Sequence, residues 1–162
     1  MKRTLIFGLL TVIWCVVIYR FSAQTAAESI QTSDDVIITV SEVVVPDFDK
    51  MTEPEKQSFV DKLTNVVRKS AHFLEYAVLG ALLFQFYSFA SSGLYRFTLA
   101  QYSASFYACS DELHQYAVSG RGCQFVDVLI DSSGALLAIT VSALITALAV
   151  HIRNRKTRGN IK

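Results

Sequence analysis

The side chains able to do chemistry in this sequence fall into a few short stretches. Arg68, His72 and Glu75 stand at i, i+4 and i+7, so one helix face carries all three, with Lys69 beside it. Asp111, Glu112, His114 and Gln115 form a second group, with Asp111 and Gln115 one helical turn apart. Arg121 follows, and then Asp127 and Asp131, again one turn apart, with Gly134 continuing their face. Asp111 or Glu112 can serve as a general base, and His72 or His114 can carry the proton near neutral pH. Glu75 and Asp127 complete the candidate catalytic set. Arg68, Lys69 and Arg121 suit a phosphate or carboxylate, and Gln115 and Asp131 join them as candidate binding residues. The same groups can instead be structural, the acids pairing with Arg68, Lys69 and Arg121 to hold helices together. His72-x-x-Glu75, Asp111-Glu112-x-His114 and Asp127 contain metal-ligating types, but no stretch has a recognised ligand signature. No metal or other cofactor is therefore expected. Nucleophile elbow, phosphate loop and redox motif are all missing from the sequence.

The elements that must position these residues are apolar. Of 162 residues, 52% are hydrophobic and 18% charged, more apolar than a usual soluble domain. Thr4 to Tyr19 is a run of 16 uncharged residues, Tyr76 to Tyr95 one of 20, and Ser132 to Val150 one of 19. A membrane span wants about 20 apolar residues. Between Arg96 and Asp111 only 14 residues are uncharged, so a crossing there must draw Asp111 and Glu112 into the membrane. The expectation is an all-α polytopic membrane protein, one domain over residues 1–162, with four transmembrane helices at about 4–22, 71–95, 97–115 and 127–150. Lys2, Arg3, Arg96 and the basic tail (Arg153, Arg155, Lys156, Arg158, Lys162) then lie on one side, which the positive-inside rule makes cytoplasmic. Both termini are thus expected on the cytoplasmic side of the cytoplasmic membrane, and every unusual polar residue at the outer boundary. Ionisable groups at that depth are costly and face a bundle interior or a wet cavity. A cleavable signal sequence ending near Thr25-Ala26-Ala27 is the competing reading of the first run.

The loop between the first two spans, about residues 22–67, is expected outside and helical. Thr52-Glu53-Pro54-Glu55 reads as a cap, an early-helix proline and a capping-box Glu, with Phe59, Val60, Leu63, Val66 and Val67 at helical spacing behind them. That helix should run straight into the second span. Val36, Ile37, Val40, Val43 and Val44 form a similar stripe after Thr32-Ser33-Asp34-Asp35, helix being favoured over strand despite the β-branching. Of the three cysteines, Cys15 lies in an apolar run, while Cys109 and Cys123 flank one outer turn and leave a single disulfide open. No basic patch interleaved with aromatics points to nucleic acid.

The sequence resembles the VanZ-like family, membrane proteins named for an accessory factor in teicoplanin resistance. The resemblance rests on Arg68-Lys69-Ser70-Ala71-His72-Phe73-Leu74-Glu75-Tyr76, Asp111-Glu112-Leu113-His114-Gln115 and Gly120-Arg121. It continues through Asp127, Asp131 and Gly134-Ala135, with Phe21-Ser22-Ala23-Gln24 after the first helix. Two positions depart from the family pattern: Asp131, where Asn is more usual, and Ala138, where Gly is. The resemblance implies that the first helix is retained and that the protein works at the outer face of the cytoplasmic membrane, with a role in glycopeptide resistance. It implies no settled reaction. An enzyme or a binder of a lipid-linked cell-wall precursor or glycopeptide, and a structural subunit in contact with membrane lipids, all remain open.

Overall fold

The computed structural model describes residues 2–90 and 93–159; Lys162 of the basic tail lies outside them. Within these residues the chain is all helical, with five α-helices and no strand. They are α1 (Lys2–Ser22), α2 (Ala26–Val44), α3 (Glu53–Phe86), α4 (Gly93–Tyr116) and α5 (Phe125–Gly159). Two of them, α1 and α5 (over Phe125–Thr157), are long and apolar enough to cross a membrane. Their apolar residues point outward: Leu5, Leu9 and Val12 on α1 and Leu137, Leu144 and Ile145 on α5 are all more than half exposed. In water such faces would be unpaid hydrophobic surface; against lipid they are matched.

The interior is built from small residues. Ala100, Ala104 and Ala108, one turn apart on α4, are fully buried, and Asp111 and Gln115 continue their face. On α3 and α5 the approach is closer still. A Cβ at Gly80 would lie 2.7 Å from the Ala135 carbonyl oxygen, and one at Gly134 would lie 2.1 Å from that of Phe73. Gly134 thus lets the backbones of two helices touch, as its place on the Asp127–Asp131 face suggested.

The long uncharged run Tyr76–Tyr95 does not form one helix. α3 ends at Phe86, a single 3-10 turn covers Tyr87–Phe89, and α4 already begins at Gly93. Arg96 therefore lies in the first turn of α4, not in the connection before it. Its guanidinium donates to the Phe84 carbonyl and to Gln85 Oε1 (3.0 Å), placing positive charge at the negative end of α3. Arg3 donates to the same Gln85 oxygen at 2.6 Å. The start of α1, the end of α3 and the start of α4 thus meet at one end of the bundle.

Beyond the other end, α2 and the first half of α3 pack together. α2 starts at Ala26, ten residues before its valine stripe, because Thr25 and Glu28 form a capping box: the Thr25 amide donates to Glu28 at 2.8 Å. Thr52 and Glu55 do the same for α3 at 2.9 Å. These amide and hydroxyl donors hold both glutamates below the ordinary carboxylate pKa. The packed face of α2 is a stripe of Ser29, Ser33, Ile37 and Ser41. Val36, Val40, Val43 and Val44 face outward instead, so the expected valine seam is corrected to a serine one. Across it, Thr64 donates to Asp34 at 2.6 Å. Short side chains let α2 lie close to α3, where a valine seam would hold it away.

Candidate functional site

The polar residues converge where α1, α3, α4 and α5 meet, at the end opposite Arg3 and Arg96. Asp111, buried on α4, accepts from Ser22 Oγ at 2.7 Å and from Gln115 Nε2 at 3.1 Å. Gln115 also donates to Ser22 at 3.2 Å, closing a three-membered network that joins α1 to α4. Glu112 turns the other way, accepting the Gln124 backbone amide at 2.8 Å and so fixing the connection into α5. Lys69 reaches Asp127 at 3.5 Å, with both side chains partly exposed.

His72 and Asp131 face each other across the α3–α5 contact that Gly134 permits, Nδ1 to Oδ1 at 3.6 Å. That is beyond a good hydrogen bond. Asp131 is fully buried, yet neither of its oxygens has a hydrogen-bond partner among the described residues. The same holds for His72 Nδ1 and for the buried Tyr76 hydroxyl. Native interiors leave few such atoms unsatisfied, so their concentration here asks for an explanation.

Two cavities open onto the cluster. One, of about 160 Å³, is lined mainly by polar groups, among them Arg68, His72, Gln115, Arg121, Gln124 and Asp127. The other, of about 260 Å³, lies towards α1 and α2 and is lined by Phe21, Val36, Ala71 and Glu75 among others. Arg68, His72 and Arg121 line both and form the wall between them. Neither arginine makes an ion pair among the described residues, since Lys69 alone of the three bases has a carboxylate. Burial, and then the charge of Arg68, hold Arg121 below the ordinary guanidinium pKa, with Asp111, Glu112 and Glu75 pulling the other way. An anion entering the cavity would relieve the repulsion between the two arginines.

The structure therefore gathers Arg68, His72, Glu75, Gln115, Arg121 and Asp127 around the cavities, with Asp111 and Asp131 beside them. His114 lines neither cavity; its ring stacks on Tyr19, centroids 4.6 Å apart, and its Nε2 is buried without a partner. Three participants escaped the sequence reading as site residues. Ser22 was visible only within Phe21-Ser22-Ala23-Gln24. Tyr76 lies beside the Arg68–His72–Glu75 face in the sequence pattern, but its spacing assigns it no role. Trp14 donates its indole N–H to the Glu75 carbonyl at 2.8 Å, a bond to backbone that side-chain spacing cannot signal. Cys109 and Cys123 are both free and exposed, so the disulfide left open above is not formed.

A family model described as VanZ/LLP1 matches residues 7–146. No curated protein and no solved structure matches the chain.

Proposed function

The chain belongs to the VanZ-like family, linked to glycopeptide resistance, and on that premise we propose that it binds the anionic head group of a lipid-linked envelope precursor at the outer face of the membrane. The observation that carries this reading is the pair Arg68 and Arg121, two guanidiniums without carboxylate partners on the wall of one cavity. A planar guanidinium matches phosphate oxygens with two parallel hydrogen bonds, and two arginines suit a diphosphate. The second cavity, with Phe21 and Val36 in its wall, offers an apolar neighbour for a lipid chain. His72 stands between the two, where it can exchange a proton with whatever the arginines hold.

A soluble prenyl diphosphate provides the test, with the matching prenyl alcohol as control. The diphosphate is expected to bind the purified protein in detergent and the alcohol not. Each charge-assisted hydrogen bond lost costs about 1.5–3 kcal/mol, so Arg121→Gln should weaken binding by roughly tenfold or more. Arg121→Lys keeps the charge without the fork and should lie between. Unchanged affinity in an Arg68→Gln, Arg121→Gln double variant would sink the reading.

The proposal includes four membrane crossings with both termini inside. Its support is the positive charge that Arg3, Arg96 and the far end of α5 (Arg153, Arg155, Lys156) place at the end away from the cluster. α4 is about 36 Å long at 1.5 Å per residue, enough to cross. It turns Tyr102, Phe106 and Leu113 outward, each at least two-thirds exposed. Topology reporters fused at residue 45 and after Lys162 should read outside and inside respectively. A C-terminal reporter found outside would overturn the arrangement.

A further inference from the structure

We propose that His72, Asp111 and Asp131 form a binding site for one divalent transition-metal cation. The three residues come from α3, α4 and α5, and one ligand atom from each lies within 4.8 Å of the other two. Asp131 is the centre of the case. It has no exposed surface, and both of its oxygens lack a hydrogen-bond partner. A buried carboxylate in that state is expensive unless a cation or a proton completes it. His72 Nδ1 is likewise unpartnered and faces Asp131 at 3.6 Å. Two donors on a tetrahedral ion, with bonds of about 2.0–2.2 Å, stand roughly 3.3–3.5 Å apart. The observed gap is too wide for a hydrogen bond between the two side chains and close to right for a shared ion.

The surroundings support the same occupant. Glu75, Asp111, Glu112, Asp127 and Asp131 meet Arg68, Lys69 and Arg121 in this cluster, five acids against three bases, an excess of two negative charges when all are ionised. One divalent cation cancels it. Asp111 is aimed by Ser22 and Gln115, both donating to Oδ2, as metal-binding carboxylates commonly are by their neighbours. His72 and Asp131 are brought together by the Gly134–Phe73 backbone contact, so packing supplies much of the closeness. One imidazole nitrogen with two carboxylate oxygens favours Zn²⁺ or Mn²⁺ over the all-oxygen ions Mg²⁺ and Ca²⁺. Three protein ligands leave a coordination position free. His72 also lines the cavity of Arg68 and Arg121, so that position adjoins the proposed anion site.

The rival occupant is a proton shared between Asp111 and Asp131. The full chain, purified in detergent and stripped with chelator, is titrated with Zn²⁺ and separately with Mn²⁺ against a competing dye. One ion per chain is expected, and Co²⁺ in its place should give a ligand-field absorption band. Asp131→Asn, nearly isosteric, should weaken binding by about 100-fold or more, while Asp127→Asn one turn away should change it by less than about tenfold. Should Asp131→Asn fail to accumulate, His72→Gln carries the same expectation, and the wild-type titration stands alone. A wild-type chain that binds neither ion stoichiometrically overturns the proposal. So does unaltered affinity in Asp131→Asn or His72→Gln. A chain that takes up no ion but melts higher as Asp131→Asn identifies the shared proton instead. None of these readouts involves Arg68 or Arg121, so the anion reading can fail while the metal site stands.

Discussion

Gly134→Ala should cost the protein most of its stability, about 3 kcal/mol or more, and with it most of its accumulation in the membrane. The added methyl carbon would sit 2.1 Å from the Phe73 oxygen, 3.0 Å from its carbonyl carbon and 3.2 Å from its Cα. These are backbone atoms within a helix and cannot swing aside as a side chain would. Relief requires α3 and α5 to part, and the Gly80–Ala135 contact further along the same seam resists that movement. Overpacking a well-packed core usually costs about 1–3 kcal/mol, and a clash with backbone belongs at or above the top of that range. Gly93→Ala is the control, because nothing lies within 4 Å of a Cβ there. Melting temperature in detergent and membrane abundance are the measurements. Equal stability of the two variants would mean that α3 and α5 are not in backbone contact.

Asp111→Ala should abolish glycopeptide protection, whereas Asp49→Ala, at an exposed turn, should leave it intact. Removing the Asp111 carboxylate strands the buried Ser22 hydroxyl, at about 1–3 kcal/mol for a donor left without an acceptor, while the Gln115 amide keeps Ser22 Oγ as its acceptor. Against this, the loss of one negative charge relieves Asp131 and Glu112. The net effect on abundance should therefore be moderate and the effect on protection complete. Asp111→Asn separates the two: an amide oxygen still accepts from Ser22, but the charge is gone. Protection lost in both variants, with Asp111→Asn at wild-type abundance, assigns the role to the carboxylate. Wild-type protection in Asp111→Ala would remove Asp111 from the functional site.

The sequence made much of this architecture legible because helix signals are local. Thr52-Glu53-Pro54-Glu55 announced the start of α3, and its unbroken helical spacing announced continuity into the apolar run. The end of that helix was missed because counting uncharged residues cannot see a turn. Tyr87 to Gly93 is as uncharged as what precedes it, although its serines and Gly93 mark a break. Thr25-Ala26-Ala27-Glu28 carried a capping box that also fits a cleavage site, so the start of α2 was ambiguous on its face. For the site, spacing put Arg68, His72 and Glu75 on one face and Asp111 beside Gln115. It also grouped with them Glu112 and His114, which turn elsewhere, and it says nothing of contacts between helices. Arg68, His72 and Glu75 do share a face. That His72 meets Asp131, while Lys69 takes Asp127, depends on how α3 and α5 are rotated against each other. Two glycines and the two carbonyls they meet set that rotation, and no periodicity encodes it.

The continuity of α3 has a mechanical consequence. From Glu55 to Leu79 the helix contains neither glycine nor proline, the residues at which helices ordinarily kink. The segment beside α2 and the segment bearing Arg68, His72 and Glu75 are therefore one stiff rod with no joint between them. Between its contact with α2 and the cluster, α3 offers no glycine or proline at which a bend would concentrate. The same rod is pinned to α5 at the seam where Gly80 meets Ala135 and Gly134 meets Phe73, so the α2 contact, the cluster and that seam all lie on one continuous helix.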